Sequence, residues 1–111
     1  MATNKEIIAA NKEKFIELLR STGRNGVEKI IEMLEEQGFF TAPASTRFHL
    51  SYEGGLLEHS LGVCRIALMV RKQVLLIRPE LEPQLPVESV ILTTLLHDTC
   101  KAEIYKLNKK Y

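Results

Sequence analysis

The sequence predicts an all-α fold, a small helical bundle. Three observations carry this. Apolar residues recur at spacings of three and four along several segments. No stretch shows the apolar–polar alternation of a strand. Gly23, Gly26, Gly38, Gly54, Pro79, Pro83 and Pro86 punctuate the chain between those segments.

The first helix is expected over Thr3 to Arg20. Thr3 and Glu6 have capping-box spacing, in which each side chain satisfies a free amide at the helix start. Ile8, Phe15, Ile16, Leu18 and Leu19 crowd toward its end, so it should dock by its last turns. The second helix is expected over Val27 to Gln37, with Asn25 as its cap, Val27, Ile30, Ile31 and Leu34 as its buried stripe, and Gly38 as its stop. Phe39 to Glu53 reads as a loop because of Pro43 and its Ser/Thr content. It holds three phenylalanines, so it should pack on the domain. Gly54-Gly55 opens a long third helix ending near Ile77, with Leu56, His59, Val63, Ile66 and Val70 along one apolar stripe. The fourth helix starts near Pro86 and runs to about His97. Val90, Ile91, Leu92, Leu95 and Leu96 should make it largely buried. The tail from Lys101 reads as a further helix start or a fraying end.

With 111 residues, the chain is expected to be a single domain over residues 1–111. Its 45% hydrophobic and 26% charged content is that of a folded chain and argues against disorder. A net charge of +1 argues against a nucleic-acid binder, and the cluster Lys101, Lys106, Lys109 and Lys110 is too short to reverse that. The start, MATNKEIIAANKEK, lacks the apolar core of a secretory signal. Arg71, Lys72 and Gln73 interrupt the longest apolar stretch, so no membrane span is expected. A cytoplasmic location follows as the expectation. Cys64 and Cys100 would then be free thiols acting as small apolar fillers, a disulfide between them being the unusual alternative there.

The chemistry-bearing residues are few. There are three histidines, His49, His59 and His97, and Asp98 is the only aspartate. Asp98 directly follows His97 at the end of an apolar helix, where a carboxylate is costly unless paired or bound to a cation. Adjacent helical residues lie about 100° apart, so one cation can be shared only at the ridge between them. Thr94 occupies that ridge and can support the pair from behind. If the third and fourth helices pack antiparallel, His59 arrives beside His97 and Asp98. Two imidazoles and a carboxylate suit Mn, Fe, Co, Ni or Zn better than calcium. The structural alternative is a set of hydrogen-bonded core histidines, with Asp98 as partner of His97 or as a helix cap.

GGLLEHSLGV (Gly54 to Val63) followed by LLHDTCK (Leu95 to Lys101) resembles the HD superfamily of metal-dependent phosphohydrolases. The resemblance covers roughly Phe48 to Ile104 and implies a helical bundle of the HD-domain type. It implies a divalent ion (Mn, Fe, Co, Ni, Zn or Mg) held by His59, His97 and Asp98. Asp98 would also orient the attacking water, and Lys101 would contact the phosphate of a small phosphorylated substrate, a nucleotide or another phosphoester. His49, with Tyr52, resembles a stretch that borders the site in some members. The family pattern ends in a later aspartate, and no aspartate follows Asp98; Glu103 is too near the doublet to replace it. The expectation is therefore the amino-terminal part of such a domain, incomplete at its C-terminus and doubtful as a catalyst. The alternative is a non-catalytic helical module. It would bind a ligand or a protein partner, or form a homo-oligomer, through apolar surface left uncovered.

Overall fold

A computed structural model of the chain describes residues 2–44 and 52–102. Helix α1 spans Asn4–Ser21, α2 Val27–Glu36, α3 Gly55–Ile77 and α4 Val87–Leu96, with no strand among the described residues. The all-α expectation holds at that level. None of these helices is long and apolar enough to cross a membrane.

The Thr3 hydroxyl caps α1, accepting the Glu6 amide at 3.2 Å. As expected, α1 docks by its second half, burying Phe15 and Leu19. The entry to α2 differs from expectation. Its cap is Gly26, not Asn25, and no side chain caps it. Gly26 sits at φ 88, and its carbonyl accepts the Ile30 amide at 3.1 Å. A glycine reaches that left-handed backbone without a Cβ penalty, so the chain turns one residue later. Arg20 and Glu28 then clasp the corner with two hydrogen bonds, of 2.9 and 2.8 Å.

Within the expected loop, Phe39–Thr41 forms a short 3-10 turn. Phe39 and Phe40 are buried there against Phe15, with ring centroids 5.1 to 5.6 Å apart. Lys12 closes the rim, pairing with Glu35 and lying 5.0 Å from the Phe40 ring centre. The same turn holds the start of α3. Gly54 donates to the Thr41 carbonyl and Leu56 to the Ala42 carbonyl, each at 3.0 Å. Backbone carbonyls thus satisfy amides at a helix start that has no side-chain cap. Gly54 is required twice over: its φ is +83°, and a Cβ there would fall 2.6 Å from Ile8 Cγ1.

Pro79–Gln84 turns the chain as a 3-10 segment, and α4 returns along α3, with which it makes its main packing. Arg71 Nε holds that return, donating to the Leu85 carbonyl at 2.7 Å. Late α3 therefore meets early α4, and early α3 meets late α4. The antiparallel arrangement is as expected.

The burial pattern corrects two expectations. Along the anticipated stripe of α3, Leu56 is buried, but Ile66 is 63% exposed and Val70 55%. The buried face is turned toward Leu57, Ser60, Leu61 and Cys64. In α4 only Ile91 and Leu95 are buried, while Val90, Leu92 and Leu96 are half-buried. Both helices are apolar on more than one side, and periodicity alone does not choose which side meets a neighbour.

A candidate metal centre

His59 stands in the second turn of α3, and the rigid start of that helix fixes its place. His97 is the C-cap residue of α4, with φ −61 and ψ −31. Asp98 lies in the turn that follows, so the pair is not carried on one continuous helix as expected. Lys101 N–H donates to the Asp98 carbonyl at 3.0 Å, and the backbone turns helical again from Cys100.

These elements bring three predicted ligands together. His59 Nε2 lies 3.2 Å from Asp98 Oδ2, and His97 Nε2 lies 3.1 Å from the same oxygen. The two imidazole centres are 5.4 Å apart. One donor atom from each residue falls within 4.8 Å of the others. Lys101 Nζ approaches the same oxygen at 3.4 Å. The side chains of both histidines are 33% exposed and that of Asp98 21%, so the group opens to solvent on one side. Asp98 is thus half-buried rather than enclosed.

His97 Nδ1 lies 2.6 Å from the Thr94 carbonyl oxygen. A carbonyl only accepts, so Nδ1 carries a proton. In the neutral ring Nε2 is then a lone pair, and it faces a carboxylate oxygen. Two acceptors at that distance need a cation or a proton between them. Two ligand atoms sharing one metal at about 2.1 Å, at tetrahedral to right angles, are themselves about 3.0–3.4 Å apart. The two His–Asp separations, 3.1 and 3.2 Å, match that range, and the donor types suit a transition dication, with the two imidazole nitrogens closing around the ion. In donor type and in both His–Asp separations, the residues present fit a metal ion.

Thr94 supports the site, but through a different atom than its place on the ridge suggested. Its hydroxyl donates back to the Val90 and Ile91 carbonyls, at 2.7 and 3.2 Å, and only its own carbonyl reaches His97. The three-residue spacing was visible in the sequence; the backbone acceptor was not. Tyr52, on the surface, donates its hydroxyl to the Glu58 carboxylate, a contact that sequence reasoning missed. Cys64 and Cys100 are both free. Cys64 is buried as expected, whereas Cys100, which lies beyond α4, is exposed. His49, Glu103, Lys106, Lys109 and Lys110 lie outside the described residues.

No family model, curated protein or solved structure matches this chain. Any assignment of function therefore stands on the geometry and on the motif pair.

Proposed function

We propose that the chain is a metal-dependent phosphohydrolase of the HD type, acting on a nucleotide or another phosphoester. The observation that carries the reading is the convergence of His59, His97 and Asp98, with His97 Nδ1 set against the Thr94 carbonyl. A bound divalent ion supplies Lewis acidity toward a phosphoryl oxygen and toward water. In this proposal His59 and His97 present Nε2 to it, and the Thr94 carbonyl holds the His97 ring in the presenting tautomer. Asp98 contributes charge through Oδ2 and orients a water with its other oxygen. Lys101 offsets negative charge on the phosphate from beside Asp98. With only three protein donors, the solvent-open side of the group would leave room for substrate and water.

The test is metal content and affinity of the purified chain across Mn, Fe, Co, Ni, Zn and Mg. His97→Ala and Asp98→Asn are the controls, and hydrolysis of p-nitrophenyl phosphate and nucleoside monophosphates is measured in parallel. A wild-type chain that takes up none of these ions, or a His97→Ala variant that binds them equally well, refutes the reading. The second reading, a non-catalytic module, draws support from the exposed apolar residues of α3. It predicts binding of a ligand or a protein partner without turnover.

A further inference from the structure

Helix α3 is apolar on two faces, and among the described residues one is covered. The uncovered face carries Ile66, Met69, Val70, Leu76 and Ile77, each 55–77% exposed. Separations of three, four, seven and eleven residues place them on one face, about 16 Å long at 1.5 Å per residue. Helices apolar all round are normally enclosed, so this face has the chemistry of an interface.

One edge of the stripe is basic. Arg65 and Lys72 are exposed, and each stands four residues before a stripe residue, Met69 or Leu76. Neither forms an ion pair among the described residues. The neighbouring cations are engaged elsewhere, Arg71 on the Leu85 carbonyl and Arg78 on Glu80. Between stripe and edge, Met69, Val70, Lys72, Gln73, Val74 and Ile77 line a shallow hollow of about 520 Å³. Methionine adapts its shape to an incoming side chain.

We infer that this face receives an amphipathic helix of a partner polypeptide, one with carboxylates along a single edge. Such a helix lays its apolar stripe on α3, seats a side chain in the hollow, and pairs its acidic edge with Arg65 and Lys72. A second copy of this chain fits less well. A two-fold pairing with α3 helices antiparallel brings the same basic edge of both copies together, and residues 65–77 carry no carboxylate to answer it. A bilayer also fits less well, since the face has two cations and no aromatic residue.

The test uses the full chain and two fluorescent peptides of about 18 residues. Both share a leucine stripe; one has glutamates on one edge and the other has lysines. The expected result is at least about tenfold tighter binding of the Leu/Glu peptide. Met69→Glu should abolish that binding, and the Arg65→Glu/Lys72→Glu pair should reverse the preference. All three positions are exposed, and circular dichroism verifies that the helical fold is kept. Equal binding of both peptides, or binding of neither, overturns the inference. So does a concentration-dependent dimer in sedimentation that Met69→Glu removes, which identifies a second copy as occupant. Co-sedimentation with phosphatidylserine-containing vesicles, lost in the same variant, overturns it in favour of a bilayer.

Discussion

Leu57 and Leu76 belong to the same helix, yet Leu57 is wholly buried and Leu76 is 69% exposed. The first half of α3 is gripped from three sides, by Ile8 of α1, by the carbonyls of Thr41 and Ala42, and by the end of α4. The second half holds early α4 through contacts such as Arg71 to Leu85, and among the described residues Ile66, Met69, Val70, Leu76 and Ile77 stay exposed along it. The halves are comparably apolar, so burial here is decided by neighbours and not by composition. The rigid half holds the candidate metal ligand, and the open half offers the surface.

That contrast is breakable by mutation. Leu57→Ala should cost about 2–5 kcal/mol through a core cavity, and Phe15→Ala, which empties the aromatic cluster, about 3–5 kcal/mol. Leu76→Ala should stay within about 0.5 kcal/mol of wild type. Equal losses for Leu57→Ala and Leu76→Ala in urea unfolding would mean that both halves are covered. Gly54→Ala tests the grip on the helix start. Left-handed backbone and a clash with Ile8 together should cost about 2–4 kcal/mol, read in the same unfolding experiment. Metal affinity at the gripped end is a third test. Removing the His97 ring should abolish specific binding, whereas Thr94→Val should leave it within about twofold, because the supporting atom is a carbonyl. Calorimetric titration separates the two.

The smallest effect lies at the corner between α1 and α2, away from both halves. The hydrogen-bonded Arg20 guanidinium holds the Glu28 carboxyl below its ordinary range. A carboxyl depressed by folding adds stability above its unfolded value, and that contribution fades as pH falls through the folded value. The stability difference between wild type and Glu28→Gln should therefore be present at neutral pH and vanish in acid. Both side chains are exposed, so added salt should shrink it as well. A pH-independent difference would assign the effect to packing.

Much of this was legible in the residues. The α3 boundaries follow from Gly54-Gly55 and the prolines after Ile77, because positive-φ glycine and proline act locally. The meeting of His59 with His97 and Asp98 follows from a short link that forces antiparallel packing. What was not legible depends on the third dimension. A stripe of Leu56, His59, Val63, Ile66 and Val70 has the right period for a core face, but the core lies one step around the helix, on Leu57 and Leu61. Asn25 is a good cap in isolation and loses to Gly26, whose backbone makes the tighter turn. The support for His97 was sought in a side chain and lies in a peptide group.

That last contact has a practical consequence. Alanine scanning is blind to it, since every residue at position 94 carries the same oxygen. An ester in place of the amide joining Thr94 to Leu95 weakens that acceptor and removes the Leu95 N–H from α4, while every side chain stays the same. Backbone chemistry of this kind, rather than a library of codon changes, is the way to loosen the ring of His97 and leave the rest of the group intact.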